Sequence, residues 1–226
     1  MLCRAHEIAC EFHDDLWLCR QPAPRFYPNA VTLSADNSQT QLRFIEEVIA
    51  ILPGSWAVKD SFNSLNLSAI GFAPLFEASW ICRAFSSMKF SDPATRWAIV
   101  NSADELAKWE LAWNEGNFVD DMPRLFPSSL LGLPEIAFIA GYRDDQIVAG
   151  AIANLTENVV GLSNFFTPSD DPPRWWAGCV AMINQRFPGL SIVGYERGDA
   201  LSIAQQTGFN SLAPLRVWLR NPSPNL

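Results

Sequence analysis

The sequence predicts an α/β (α+β) fold, a mixed sheet flanked by helices, in which one strand, helix, strand, helix, strand module occurs twice. Residues 31–58 align with residues 166–193 without a gap, and each segment contains an apolar face with the 3.6-residue period of a helix. A short β-prone run precedes and follows each helical segment. Because two strands joined through a helix pair in parallel, the pattern predicts one βαβ unit in each half.

Identical residues and matching helical faces support this alignment. The apolar face of the first helix consists of Leu42, Ile45, Ile49 and Leu52, and that of the second of Trp176, Val180, Ile183 and Phe187. The aligned identities are Thr32, Ser34, Asp36, Pro53, Gly54 and Val58, which fall on Thr167, Ser169, Asp171, Pro188, Gly189 and Val193. A generic α/β rhythm without duplication is the alternative that these matches leave open.

The second part of each module is predicted from the residues that end its helix. Residues 64–70 and 199–207 have helical patterns that stop at a Gly-Phe pair, where Gly71 or Gly208 suits the left-handed conformation that closes a helix. A predicted strand follows each of them and contains a tryptophan, Trp80 or Trp218.

The second half begins with additional predicted elements. Ser102 and Glu105 form a capping box for a helix that reaches residues 113–114, and residues 116–134 are rich in Pro, Gly and Ser and predict a long loop. Further strands are predicted at residues 96–100, 136–142, 147–154 and 159–167. With a boundary near residues 91–94, the chain is predicted to form two domains, a partial one at residues 1–94 and a complete one at residues 95–226.

The composition excludes several classes of function. The 226 residues are 49% hydrophobic and 18% charged, as in a packed globular protein, and no apolar run is long enough for a membrane helix. The net charge of -8 argues against a nucleic-acid surface, which needs clustered Lys and Arg. The N-terminus lacks the features of a secretion signal and the five cysteines fit free thiols, so we expect a cytoplasmic protein with no membrane or nucleic-acid partner.

One stretch near the C-terminus resembles a known family. It runs from Ile192-Val193-Gly194-Tyr195-Glu196-Arg197-Gly198-Asp199 through Gly208-Phe209 to Leu215-Arg216-Val217-Trp218. This order of a strand, a helix closing at Gly-Phe and a final strand is similar to the last third of the GNAT superfamily of acyl-CoA-dependent acyltransferases. Over residues 96–220 the whole predicted order of elements also resembles the GNAT fold.

The resemblance implies a cofactor site. In this fold the strand ending at residues 164–167 and the strand at residues 192–195 splay apart and leave a wedge between them. Backbone groups that line this wedge pair with the pantetheine arm of acetyl-CoA or another acyl-CoA. The helix that follows the first strand normally points its N-terminus at the pyrophosphate. The implied cofactor-binding residues are Asn164, Phe165, Phe166, Thr167, Arg174 and Trp175.

The sequence departs from the family pattern at two places. Residues 169–176, which stand where the phosphate loop is expected, contain two aspartates and two prolines and no glycine. Asp171 and Pro172 suit the N-cap and first position of a helix that satisfies itself, and two carboxylates there repel a pyrophosphate. The tyrosine that many GNAT enzymes carry four residues before Gly-Phe is replaced by Ala204.

Tyr195 and Glu196 are therefore the predicted catalytic residues. They end the second splayed strand, and a carboxyl group beside an apolar wedge can have the raised pKa that a general base needs. The alternative is a structural tyrosine and a surface glutamate. The nearby aromatic residues either hold an acyl chain or pack in the core; they are Phe165, Phe166, Trp175 and Trp176.

Four residues near the N-terminus suggest a zinc site, but helix geometry argues against it. The residues with suitable side chains and spacing are Cys3, His6, Cys10 and His13. On one helix they span about 15 Å of axis, too far for the ligands of one tetrahedral ion. We predict an amphipathic helix here and no metal site.

These observations predict an acyl-CoA-dependent N-acyltransferase, in its simplest form an acetyltransferase, acting on an amine of a small molecule or peptide. Backbone N–H groups of residues 165–167 would stabilise the oxyanion, and Glu196, directly or through water, would take the proton of the amine. The alternative is a catalytically inactive GNAT-like ligand-binding or structural protein. The prediction also admits a homodimer.

Overall fold

The structure, a computed structural model, describes residues 1–52, 54–86, 90, 92, 94–115 and 124–221. The chain divides into two compact units: residues 1–79 together with the chain from residue 213 onward form unit 1, and residues 80–212 form unit 2. These units do not coincide with the predicted domains, residues 1–94 and 95–226. Pro53 and two residues of the predicted boundary, Ser91 and Pro93, lie outside the described residues.

Unit 1 contains a sheet with one long helix. Its elements are α1 (Leu2–Ala5), β1 (Cys10–Phe12), β2 (Leu16–Cys19), β3 (Ala30–Thr32), α2 (Ser38–Ile51), β4 (Trp56–Asp60), a 3₁₀ turn (Ser68–Ile70), the first part of β5 (Ala73–Arg83) and the last part of β11 (Asn210–Arg220). The strands follow the order β1, β2, β3, β4, β11. The pair β3 and β4 is parallel, as the βαβ prediction requires, and the other pairs are antiparallel.

The core of unit 1 forms where α2 covers one face of this sheet. The apolar stripe of the helix, with Ile45, Val48 and Ile49, packs against Val58 of β4 and Trp218 of β11. This is the face that the 3.6-residue period predicted. The predicted helix at residues 64–70 is wrong in extent, because only a 3₁₀ turn at Ser68–Ile70 forms before Gly71.

Unit 2 contains a larger mixed sheet. Its elements are the last part of β5, then β6 (Arg96–Ile99), α3 (Ala103–Trp113), a 3₁₀ turn (Ser128–Gly132), β7 (Ile136–Arg143), β8 (Gln146–Thr156), β9 (Val159–Phe166), α4 (Pro172–Arg186), β10 (Ser191–Glu196), α5 (Gly198–Gln206) and the start of β11. The strand order is β5, β10, β9, β8, β7, β6. β9 and β10 form a parallel pair, and β6 to β9 form antiparallel pairs.

The two helix layers of unit 2 cover opposite faces of its sheet. Trp176, Val180 and Ile183 of α4 pack on one face with the buried residues of β7 to β10. Trp109 of α3 packs on the other face against Phe138. No helix among the described residues is both long and apolar enough to cross a membrane.

The start of α3 confirms the predicted capping box in a modified form. Ser102 Oγ accepts a hydrogen bond from the Glu105 N–H, and the Glu105 carboxylate accepts one from the N–H of Asn101 rather than from that of Ser102. Of the loop predicted at residues 116–134, residues 116–123 lie outside the described part of the chain, and the rest includes the 3₁₀ turn.

The division into units follows strand pairing and does not fall at the boundary predicted near residues 91–94. Residues 216–220, from the C-terminal half of the sequence, pair antiparallel with β4 in unit 1. Residues 80–83 of β5, from the N-terminal half, belong to unit 2, where β5 is the neighbour of β10. Each unit therefore includes a strand segment from the other half of the sequence. Whether the two halves are copies of one module stays a prediction.

Candidate functional site

The predicted wedge lies between β9 and β10 in unit 2. The two strands pair in parallel from Val159 and Ser191 as far as Gly161 and Val193, but β9 continues to Phe166 and β10 to Glu196. In this register, pairing stops while both strands run on toward the same edge of the sheet. Ligands of open α/β sheets bind outside the carboxyl ends of strands, where such a gap offers backbone groups to a ligand.

A glycine on β10 marks the point where the gap begins. A Cβ added to Gly194 would lie 2.9 Å from the carbonyl oxygen of Leu162, closer than side chains tolerate. The backbones are thus still in near contact at this point. Beyond it, the wedge is lined by the last residues of β9 and by Tyr195 and Glu196 of β10.

A β-bulge shapes the β9 side of the wedge. Between the pairs Ile152↔Ser163 and Gly150↔Phe166, β9 contributes one residue more than β8, and Asn164 adopts the left-handed conformation with φ +53°. Such a bulge bends the strand and changes the direction of its backbone groups. The predicted cofactor residues Asn164, Phe165, Phe166 and Thr167 all lie at or directly after this bulge.

Aromatic side chains pack beneath the bulge on both faces of the sheet. On the α4 face, the ring centroids of Phe165 and Trp176 are 4.3 Å apart. On the α3 face, those of Phe166 and Trp109 are 5.3 Å apart. The indole N–H of Trp109 donates to the carbonyl oxygen of Ile139 at 2.8 Å. Of the two roles predicted for these aromatic residues, core packing is the one that the contacts show.

Gly150 makes this packing fit. A Cβ at this position would lie 2.4 Å from Trp109 Nε1, 2.6 Å from Phe166 Cε1 and 2.7 Å from the carbonyl oxygen of Ile139. No side chain fits there without moving the rings or the backbone of β7. The shape of the wedge therefore depends on a glycine that the sequence did not single out.

The predicted catalytic pair lies at the mouth of the wedge. Burial raises the pKa of the Glu196 carboxyl group to about 7, although the side chain is only half-buried. Burial and, secondly, the charge of Glu196 raise the pKa of Tyr195, whose ring packs edge-on against Trp80 at 5.8 Å. A carboxyl group that titrates near neutrality can accept a proton from an amine, and a phenol that stays protonated can donate one.

The first turn of α4, where a pyrophosphate would be expected, is poorly suited to bind one. A helix start normally presents four free N–H groups, but Pro172 and Pro173 occupy the first two helical positions and have none. Asp171 takes the N-cap position with φ +52°, but its side chain makes no capping hydrogen bond, contrary to the prediction. The N–H of Arg174 donates to the Asp171 carbonyl oxygen at 3.1 Å.

The side chains predicted to contact the cofactor from α4 are used inside the unit. The Arg174 guanidinium binds both carboxylate oxygens of Asp92 and thereby holds the pKa of that carboxyl well below its usual range. Trp175 is 1% exposed and packs against Trp97. In this arrangement Arg174 is paired with a carboxylate and Trp175 is buried, and their contribution to cofactor binding stays a prediction.

Two further features of unit 2 bear on the site. Ala204 of α5, at the position of the tyrosine common in the GNAT superfamily, is fully buried in the core that α5 shares with α4. An open groove of about 860 Å³ lies beside α3 and the start of β8, with Glu105, Lys108 and Tyr142 among its lining residues. No local pattern predicts this groove, because its lining residues come from three separate elements.

Known structures share this arrangement. No protein-family model and no curated protein matches the sequence. A GCN5-related N-acetyltransferase from Kribbella flavida is similar to 97% of this chain over 91% of its own, with a TM-score of 0.63 and 13% identity. A functionally unknown conserved protein from Staphylococcus epidermidis is similar over 96% of this chain and 95% of its own, with a TM-score of 0.67 and 9% identity.

A protein with two GNAT domains is also similar. A tandem GNAT protein from the clavulanic acid biosynthesis pathway matches 94% of this chain over 84% of its own, with a TM-score of 0.53 and 6% identity. Together with the diverging strands and the bulge, these likenesses confirm the resemblance at the level of the fold. This chain has the mixed sheet and flanking helices of the GNAT acetyltransferases.

Proposed function

We propose that unit 2 is an acyl-CoA-dependent N-acyltransferase that transfers an acyl group to an amine of a small molecule or peptide. The observation that carries the proposal is the divergence of β9 and β10 beyond Gly161 and Val193, with a bulge on one side and Glu196 on the other. The fold shared with known acetyltransferases supports the same assignment.

Acyl-CoA fits one part of this site and not another. The amide-rich pantetheine arm needs backbone donors and acceptors, which β9 and β10 can supply, whatever their side chains, where the two strands no longer pair with each other. The pyrophosphate needs N–H groups or free cations, and the start of α4 offers two prolines and an arginine already bound to Asp92. We infer that the pantetheine arm provides most of the affinity and the nucleotide little.

The chemistry at the mouth of the wedge is proton transfer and charge stabilisation. When bound, acyl-CoA supplies a thioester whose carbonyl carbon bonds to the amine nitrogen as the carbon–sulfur bond breaks, giving an amide and a free thiol. Glu196, once ionised, accepts the proton that the amine loses, directly or through a water molecule. Backbone N–H groups of residues 165–167 stabilise the negative charge on the carbonyl oxygen.

Tyr195 has the complementary role in this proposal. Its pKa is raised, so its hydroxyl group stays protonated over the pH range in which Glu196 ionises, and it can donate a proton to the departing thiolate. It would replace the missing tyrosine at the position of Ala204. The proton balance closes when Glu196 returns the proton of the amine to Tyr195 or to solvent.

A second candidate function is favoured by the start of α4. A GNAT-like protein that binds a ligand without catalysing a reaction would need neither a phosphate loop nor a catalytic tyrosine. This chain has prolines at positions 172 and 173 and an alanine at position 204 in their place. Such a protein would keep the wedge, because backbone recognition does not depend on the lost residues. The two functions differ in turnover and not in fold.

Calorimetric titration with acetyl-CoA and longer acyl-CoAs, followed by thiol-release assays with a panel of amines, tests the proposal. We expect binding to the full chain and release of one thiol for each amide formed. If no acyl-CoA binds, the proposal is wrong. Binding without turnover of any amine supports the second candidate.

A further inference from the structure

Three cysteine side chains of unit 1 converge although they come from three different elements. Cys3 lies on α1, Cys10 on β1 and Cys19 on β2. The Sγ atoms of Cys10 and Cys19 are 3.0 Å apart, those of Cys19 and Cys3 are 3.6 Å apart, and all three lie within 4.8 Å of one another. All three are free thiols in this structure.

The cluster depends on a backbone conformation near the N-terminus that differs from the predicted one. The predicted amphipathic helix through His13 is wrong, because α1 ends at Ala5 and Glu7 adopts the left-handed conformation with φ +57°. The chain then turns into the hairpin of β1 and β2, whose register places Cys10 directly opposite Cys19. On one continuous helix the side chains would be too far apart to share an ion, whereas the hairpin brings the sulfur atoms of Cys10 and Cys19 within 3.0 Å.

The histidines that first suggested zinc are not part of this cluster as it is assembled. His13 Nε2 bonds to Glu11 at 3.1 Å, and the His13 ring packs on Phe44 with centroids 4.9 Å apart. Within the described part of the chain, the grouped metal-binding side chains at this place are the three cysteines. The third thiol is that of Cys19, which lies 16 positions from Cys3 in the sequence and meets it only in the folded chain.

We propose that Cys3, Cys10 and Cys19 form a binding site for one thiophilic d¹⁰ cation, Zn²⁺ or Cu⁺. Thiolates are the soft ligands that both ions prefer, and a zinc–sulfur bond of about 2.3 Å is compatible with three sulfur atoms as close together as these. Three thiolates complete a trigonal Cu⁺ site. A Zn²⁺ ion would take a fourth ligand from outside, and the half-buried Cys10 leaves a side for it to enter.

Burial agrees with a bound cation. Cys19 is completely buried and Cys3 is nearly so, and water is therefore kept from two of the three sulfur atoms. Cation binding exchanges the thiol protons for the metal, and the cation compensates the thiolate charge inside the unit.

The test uses the reduced full-length chain with Zn²⁺ or Cu⁺ added under anaerobic conditions. After gel filtration we expect about one ion for each chain by elemental analysis, and Co²⁺ loading should give the absorption of a thiolate-to-cobalt charge transfer. Cys10→Ser and Cys19→Ser should each weaken binding by roughly a hundredfold. Cys82→Ser, which changes a half-buried cysteine outside the cluster, should bind as the parent does.

Several results would overturn the proposal. Failure of the reduced chain to retain either ion is one, and unchanged metal affinity in Cys10→Ser is another. A Cys10–Cys19 disulfide in protein purified without metal or reductant, together with absence of metal binding after reduction, would assign the cluster to redox chemistry instead. Circular dichroism separates loss of the site from loss of folding, and Cys10→Ser remains informative if the buried Cys19→Ser variant does not fold.

Discussion

The mouth of the wedge and the first turn of α4 both belong to unit 2, yet they offer a ligand different things. At the wedge, β9 and β10 present backbone groups and a carboxyl group whose pKa lies near 7. At α4, two prolines remove N–H groups, and Arg174 is already paired with Asp92. In GNAT acyltransferases these two places are expected to hold the two ends of one cofactor.

The difference follows from how each place recognises a ligand. Backbone pairing requires only that two strands diverge, which the fold itself ensures whatever the side chains are. Phosphate recognition at a helix start requires particular residues, small ones for close approach and free N–H groups for hydrogen bonds. Sequence change can therefore abolish the second while the first persists.

Disturbing the packing around the wedge should affect both folding and ligand binding. Gly150→Ala places a Cβ within 2.7 Å of Trp109, Phe166 and the β7 backbone. We therefore expect the free energy of unfolding to fall by about 2–3 kcal/mol and the affinity for acyl-CoA to fall as well. Gly161→Ala is the matched control, because its Cβ would meet nothing closer than 3.6 Å. Urea unfolding and ligand titration measure both; equal changes in the two variants would contradict the packing described here.

Glu196→Gln tests whether the wedge is a catalytic site. With the carboxyl pKa at about 7, turnover by the parent should rise as pH increases through 7, and the variant should lose about 10²- to 10⁴-fold in kcat with no such rise. Glu157→Gln, in the exposed turn before β9, should behave as the parent. A full pH profile of kcat in the Glu196→Gln variant would remove this residue from the mechanism.

The same substitution has a stability readout that does not depend on activity. The folded Glu196 carboxyl group binds its proton more tightly than the unfolded one, so between about pH 4.5 and 7 this group makes the folded state lose stability as pH rises. Replacing it with Gln should remove that loss. Thermal unfolding at pH 4.5 and at pH 7.5, in parent and variant, measures the difference.

Tyr195→Phe should have a smaller effect. The ring and its contact with Trp80 remain, and a thiolate departs readily, so we expect kcat to fall by only about tenfold, with unchanged affinity for acyl-CoA. Acyl donors whose thiols are more acidic should reduce the difference, because they need less help from a proton donor. If the loss is the same for all thiol leaving groups, Tyr195 does not protonate the thiolate.

Local patterns predicted much of this fold. The periods of α2 and α4 and the capping box at Ser102 each depend on residues close together in the chain, and the structure has all of them. Of the two Gly-Phe stops, the one at Gly208 follows α5, whereas the one at Gly71 follows only a 3₁₀ turn. The wedge between β9 and β10 came from the resemblance to the GNAT superfamily. Its bulge at Asn164 was not predicted, because asparagine in a strand carries no strong signal for a left-handed backbone.

What the sequence could not show depends on residues far apart in the chain. Asp92 and Arg174 are 82 positions apart, and the pair is visible only once β6 and α4 have packed. The membership of residues 216–220 in unit 1 likewise depends on their pairing with β4 and not on composition. Cys10 and Cys19 meet because the register of the β1–β2 hairpin pairs them, whereas the sequence predicted a helix at Cys10.

The smallest expected effect tests the α4 side of the comparison. Asp92→Asn should release the Arg174 guanidinium and raise the affinity for acetyl-CoA by roughly fivefold, since an exposed arginine and a phosphate interact weakly in water. The affinity for acetyl-pantetheine, which lacks the nucleotide, should not change. In the parent the two donors should differ by less than about tenfold, because the prolines at positions 172 and 173 give the pyrophosphate little to bind. If acetyl-CoA binds the parent far more tightly than acetyl-pantetheine, the nucleotide is recognised elsewhere in the protein, and the start of α4 is not where its affinity is decided.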